Sequence, residues 1–411
     1  MKKILLLVSF SVLFLSACKP KNDLKNGQWR GVIKTLGGDL PFQLVIQKNA
    51  DSSTFSVQAL NGEEVLKLDT AVFKGDSIHI PMGIFDAELV AKVTDNKMTG
   101  FYRKIRSNGT VLEGIFSAEY ANNQRFIITE SARVEVSGKW AVLFKSPEKP
   151  ADTTLAIGVF KQTGNVLTGT FLTPTGDYRY LAGNVIGDSL KLSCFDGNHI
   201  FLFKAKVNGD AMEGGQFWSN MKGLENWTAK RNPNATLPDA KKLTFLKPGY
   251  RTFDFSFPDA SGKIISMKDG RFKGKVTVVQ IMGSWCPNCM DETKFLAPWY
   301  LKNQSRGIEV VGLGFEKSTD LAISGPKLER LKKRFNVPYS LLLAGSNDKE
   351  KASAALPMLN RVVSFPTTIF IDKKGIVREI HTGFSGPGTG IYYDNFVTEF
   401  NTLIDKLLAE K

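Results

Sequence analysis

The sequence predicts an α/β domain on the carboxy-terminal side of the chain, preceded by two copies of an all-β module, each a sandwich or a small barrel. Three observations carry this reading. Between residues 27 and 231, five landmarks recur in the same order at a near-constant offset of roughly 112 residues. The segments between them alternate apolar and polar residues at the period of strands, with no long helical periodicity. Beyond residue 245, β-branched apolar runs alternate with amphipathic stretches. A chain of 411 residues leaves room for two or three domains, and 42% hydrophobic with 23% charged residues is an ordinary globular balance.

Met1 to Ala17 has two lysines, an apolar run from Ile4 to Leu15 and small residues ahead of Cys18, the layout of a secretory signal. The apolar run of 12 residues is short for a bilayer span. Leu15-Ser16-Ala17-Cys18 resembles the bacterial lipobox. The resemblance implies removal of residues 1–17, lipidation of Cys18, and attachment of the mature chain to a membrane of the bacterial cell envelope, facing the periplasm. Lys19 to Asn26 then forms a polar tether. The formal charge is +14, with Lys2 and Lys3 in the leader. No run of arginines interleaved with aromatics accompanies it, which argues against a nucleic-acid partner. A basic surface facing an anionic membrane or acidic partners accounts for the excess.

The two modules are read over residues 27–121 and 137–231. Gly27-Gln28-Trp29 recurs as Gly138-Lys139-Trp140, and Gly75-Asp76-Ser77-Ile78 as Gly187-Asp188-Ser189-Leu190. Phe85-Asp86 matches Phe195-Asp196, Met98 and Gly100 match Met212 and Gly214, and Phe116 with Ala118 matches Trp227 with Ala229. Strand-like segments such as Phe42 to Gln47 and Val166 to Leu172 are set off by turn signals, among them Asn61-Gly62, Asn108-Gly109 and Asn208-Gly209. The opening Gly-x-Trp resembles that of lipocalin-like barrels, and both tryptophans read as core plugs. His79 and His199 occupy non-equivalent positions and read as isolated, and Asp86 and Asp196 read as turn residues. The modules therefore read as a spacer or a partner-docking platform, with ligand binding as the other reading. Cys194, in a strand-like segment, reads as a buried small hydrophobe. Residues 232–245, opening with Asn232-Pro233-Asn234, read as a linker.

In residues 246–411, Phe253 to Phe255 and Ile264 to Met267 are expected to form a hairpin. Val276 to Met282 reads as a buried strand that stops at Gly283. Cys286 and Cys289 follow, with Pro287 at a favourable first helical position. The helix should run to about Gln304, with Pro298 kinking it. Ile308 to Phe315 and Tyr339 to Leu343 read as strands and Asp320 to Phe335 as an amphipathic helix. Thr367 to Ile371 and Ile376 to His381 form a pair around Asp372 to Gly375. A final helix puts Phe396, Phe400, Leu403, Ile404 and Leu407 on one stripe.

The unsatisfied N–H groups at a helix start favour an anion there, so Cys286 should ionise readily. A thiolate with a second thiol one turn away can exchange disulfides. A structural disulfide or half of a zinc site would use the same two residues. Zinc needs two further ligands, and His79, His199 and His381 are scattered. No metal and no cofactor is expected.

Trp285-Cys286-Pro287-Asn288-Cys289, followed in order by Ser364-Phe365-Pro366-Thr367, resembles the thioredoxin superfamily, and within it the TlpA/ResA-like membrane-anchored thiol-disulfide oxidoreductases. The resemblance covers about residues 246–411. It implies a thioredoxin-like fold and a redox-active disulfide between Cys286 and Cys289. It also implies a cis peptide at Pro366, and a substrate surface of Trp285, Pro287, Phe365 and Pro366. Gln280 stands where thioredoxin itself has a buried aspartate. Glu292 matches the glutamate of the ResA-like proteins and becomes the candidate for handling the Cys289 proton; a solvated first-turn acid is its other reading. The implied activity is reduction of protein disulfides in the envelope, such as those of cytochrome c precursors, fed by a membrane dithiol donor. A net oxidant, and a ligand- or partner-binding lipoprotein with an accessory redox domain, are the rivals. A thiol peroxidase would need proline at Val279 and threonine at Gly283.

Overall fold

The computed structural model describes residues 24–51, 53–106 and 109–410. Cys18, with the rest of residues 1–23, and Asn108 of the expected turn lie outside the described residues.

Each all-β module is a closed barrel rather than a sandwich. In the first, eight antiparallel strands form a ring that runs from Gly27–Thr35 to Val111–Tyr120 and closes where Gly38–Lys48 pairs with Thr54–Asn61. A short ninth strand, Glu64–Lys67, pairs onto Thr54–Asn61. The second barrel repeats this strand for strand, closing where Thr153–Thr163 pairs with Val166–Thr173, with Gly176–Asp177 as its short extra strand. Alternation explains the closure: along Thr54–Asn61 every second side chain, Phe55, Val57 and Ala59 among them, is buried, and a ring leaves no unpaired edge. Trp29 and Trp140 are fully buried and donate from Nε1 to carbonyls four residues upstream, Lys25 at 3.0 Å and Val136 at 2.9 Å. Packed aromatics fill the second barrel, with Phe217 stacked on Phe203 at 4.3 Å and Phe171 tilted against it at 4.8 Å. Cys194 is fully buried and unpaired.

The expected amino-terminal hairpin is displaced. Ser256–Pro258 pairs with Ile264–Ser266, whereas Phe253 and Phe255 lie just before the ladder as buried plugs, Phe255 against Phe272. Residues 232–245 do not hang free: Lys139 donates to the Ala235 carbonyl, Ala235 is buried, and Phe245 N donates to Asn360.

The α/β domain has a five-stranded sheet in the order Ser340–Ser346, Ile308–Glu316, Val276–Met282, Thr367–Ile371, Val377–Thr382. The first three strands are parallel and the last two antiparallel. Helix α1 spans Pro287–Asn303, running on through Pro298, α2 spans Leu321–Arg334, α3 spans Lys349–Ala355 and α4 spans Ile391–Ala409. α1 and α4 pack through Phe295 and Trp299 on Phe400. This is the thioredoxin-like order of strands and helices that the sequence led us to expect.

The three modules touch. α2 meets the first barrel through Lys327 to Asp86 at 2.5 Å and Arg334 to Asp69 at 2.6 Å. Asp86 does sit in a turn, at φ 54°, and it is also one side of this contact. Between the barrels, buried Arg125 donates to Ser193 Oγ, the Leu60 carbonyl and Asn61 Oδ1.

Candidate active site

The Val276–Met282 strand is buried along its whole length and delivers the chain to Gly283 at its end. A Cβ at Gly283 would meet the Trp285 ring at 2.3 Å, so the tryptophan folds back over a position that must be glycine. Its Nε1 donates to the Phe315 carbonyl at 2.9 Å, and its ring meets Phe365 edge-on at 5.7 Å. Behind the turn, Ser284 N and Oγ both donate to the buried Glu316 carboxylate at 2.7 Å. Nothing in the local sequence marked Glu316, which lies at the far end of a neighbouring strand.

Cys286 is the N-cap of α1: its Sγ accepts from Cys289 N at 3.2 Å, and Pro287 takes the first helical position. The two cysteines are joined as a disulfide, with Cα atoms 5.3 Å apart. Cys289 is wholly buried, whereas Cys286 keeps 6% exposure, so only Cys286 can meet another molecule. Its Sγ lies 3.5 Å from the Phe365 carbonyl oxygen, and the Phe365–Pro366 peptide is cis. The site thus joins the start of α1 to the loop before Thr367–Ile371.

Glu292, one turn beyond Cys289, is fully buried, which removes the reading of it as a solvated first-turn acid. Gln280 Nε2 donates to its Oε2 at 2.8 Å and Thr368 Oγ1 to its Oε1 at 2.5 Å. Burial pushes its carboxyl up from 4.5 to about 7, against the pull of those two donors. Gln280 also donates to the Cys289 carbonyl at 3.3 Å, so one amide links the acid to the backbone of the second cysteine. The group can hold or release a proton near neutral pH.

The second barrel also reaches the site. Its Leu172–Asp177 hairpin turns at Pro174-Thr175 and lies against the cysteine loop. Ser364 Oγ donates to the Thr175 carbonyl at 2.9 Å and Asn288 Nδ2 to the Asp177 carbonyl at 3.1 Å. Asp177 Oδ2 accepts from Gly386 N at 2.7 Å. Together with Asn198 and His199, this hairpin faces Trp285, Cys286, Pro287 and Phe365 across a crevice of about 340 Å³.

His199 is therefore not isolated. Its Nδ1 lies 2.9 Å from Asp196 Oδ2, and its ring stacks on Phe201 at 4.3 Å. Asp196 closes the turn that carries it, accepting from His199 N at 2.7 Å, and also faces Arg179. The reading of His199 as isolated is corrected accordingly. One signal was available: the offset between copies is 110 at Phe85 and Phe195 but 114 at Met98 and Met212, marking an insertion in the second copy where Gly197-Asn198-His199 stands.

Arg179, buried and at φ 60°, ties the three modules together. Its guanidinium reaches Glu64 of the first barrel at 2.5 Å, Asp196 of the second at 3.1 Å, and Asp291 of α1. The Asp196 approach is an ion pair without hydrogen-bond alignment, since Nε has no aligned acceptor. Burial alone would weaken its charge, but Glu64 and Asp196 outweigh it and hold the guanidinium firmly protonated.

The profile of the AhpC/TSA family matches residues 248–380. Thioredoxin-like protein YneN of Bacillus subtilis (strain 168) is 28% identical over 144 residues, covering 35% of this chain and 76% of that protein. Thiol-disulfide oxidoreductase ResA of Bacillus thuringiensis (strain Al Hakam) is 30% identical over 134 residues, covering 33% of this chain and 69% of that protein. A solved thiol:disulfide interchange protein of the thioredoxin family from Chlorobium tepidum TLS aligns with a TM-score of 0.30 at 21% identity, over 39% of this chain and 96% of its own.

Proposed function

Because the chain belongs to the ResA-like thiol-disulfide oxidoreductases of the thioredoxin superfamily, we propose that it is a reductase of protein disulfides in the bacterial envelope, lipid-anchored through Cys18 and facing the periplasm. Cytochrome c precursors are its candidate substrates and a membrane dithiol its electron donor. The observation that carries the reading is Cys286 at the start of α1, the less covered sulfur of the pair, with Cys289 and a buried acid behind it.

In this reading, the Cys286 thiolate attacks a substrate disulfide. A bond forms between Cys286 and one substrate sulfur, the substrate S–S bond breaks, and the departing thiolate takes a proton from water. The Glu292 carboxylate accepts the proton of Cys289, whose thiolate attacks the Cys286 sulfur; the Cys286–Cys289 bond forms, the Cys286–substrate bond breaks, and the second substrate sulfur leaves as a thiolate that takes a proton from water. The enzyme is left as the Cys286–Cys289 disulfide, which the donor dithiol reduces. Trp285, Pro287, Phe365 and Pro366 form the surface on which the substrate backbone lies. The AhpC/TSA match raises a peroxidase reading, but Val279 and Gly283 lack the proline and threonine it needs.

The reduction potential of the pair tests the direction. A value nearer that of thioredoxin, about −270 mV, agrees with a reductase; one near about −120 mV, typical of strong oxidants, contradicts it. Loss of the chain from the membrane fraction on Cys18→Ser would agree with the lipid anchor.

A further inference from the structure

Resting on that reading, we infer that the second barrel is half of the substrate site. Its Pro174-Thr175 hairpin tip is a specificity determinant, admitting a disulfide carried on a single extended chain and rejecting one on a folded surface. Four observations support this.

The hairpin occupies the approach to Cys286: the Thr175 carbonyl is bonded by Ser364, on the loop before Thr367–Ile371, and the Asp177 carbonyl by Asn288, in the first turn of α1, on the two sides of the cysteine. The approach is close enough to dictate sequence on the other side, because a Cβ at Gly383 would lie 2.7 Å from the Thr175 carbonyl carbon. The wall is anchored rather than merely touching. Asp177 accepts from Gly386 N and, at 2.5 Å, from Arg179 N, and Arg179 is held in turn by carboxylates from all three modules. A non-glycine residue at φ 60° persists where its surroundings over-determine it.

The space that remains is small. The crevice of about 340 Å³ is at the low end of the roughly 300–1,000 Å³ range of ligand sites. With Cys286 only 6% exposed, a sulfur on a rigid protein surface cannot come within bonding distance without displacing the hairpin, whereas an extended chain can thread the crevice. Thr175 and His199 offer it polar contacts on the barrel side.

The test compares kcat/KM of the reduced full-length protein for a short unfolded peptide closed by a disulfide and for native insulin. The wild type should favour the peptide by about tenfold or more. Trimming the tip, Pro174→Gly with Thr175→Gly, should raise the insulin value about tenfold relative to the peptide value. Thr175→Trp, which fills the crevice, should lower peptide turnover about tenfold while leaving the Cys286–Cys289 potential unmoved. Equal wild-type values for the two substrates, or variants that shift both substrates alike, would overturn the inference. Reduction of neither substrate by the wild type, in a pair that still exchanges with dithiothreitol, would overturn the reductase reading itself and the inference with it.

Discussion

Glu292 shows how far a single residue can be read ahead of its structure. Its place one turn past Cys289 is legible from spacing, because helical periodicity is local. Its full burial is not, because Gln280 and Thr368 come from two different strands. The consequence is measurable. Between pH 4.5 and about 7 the folded chain keeps a proton that the unfolded chain has released, so Glu292 makes stability fall as pH rises through that window. The gap from 4.5 to about 7 is worth about 3 kcal/mol at most. Glu292→Gln should therefore be more stable than wild type by about 1–3 kcal/mol at pH 8 and nearly equal to it at pH 5, as urea unfolding at the two pH values can show. Release of the substrate from its mixed disulfide should slow by about 10²-fold in the same variant.

At the scale of elements, strongly patterned segments were legible and contact-dependent ones were not. The Val276–Met282 strand and α4 follow from runs and stripes that carry their own periodicity. α3, only seven residues long, has too few turns to show a stripe; its one local signal is Asp348, whose carboxylate caps Lys351 N at 2.9 Å. α2 was visible as a charged amphipathic helix, but not that its basic face has an assigned partner. Lys327 and Arg334 meet Asp86 and Asp69 of the first barrel at partly exposed positions. Such pairs are weak singly, so Asp69→Asn with Asp86→Asn should cost only about 1–2 kcal/mol. The loss should shrink in high salt, which thermal unfolding at two ionic strengths would reveal.

Across the whole molecule, the duplication was legible because a repeated module repeats its landmarks, while the meeting of the modules was not, since contacts such as Arg179 with Asp291 join residues far apart in sequence. Arg179 is the point where this matters most. Removing it leaves Glu64, Asp196 and Asp291 buried without their shared cation. Arg179→Met should cost about 3–5 kcal/mol, well beyond a surface pair, in equilibrium unfolding. Everything proposed for the protein rests on Cys286 attacking and Cys289 releasing. The most direct measurement is mass spectrometry of the product formed when a Cys289→Ser variant meets a disulfide-bearing peptide. The account predicts a stable adduct on Cys286, which wild type forms only transiently and which Cys286→Ser with Cys289 intact does not form. An adduct on Cys289 in that second variant, or none on Cys286 in the first, would contradict it.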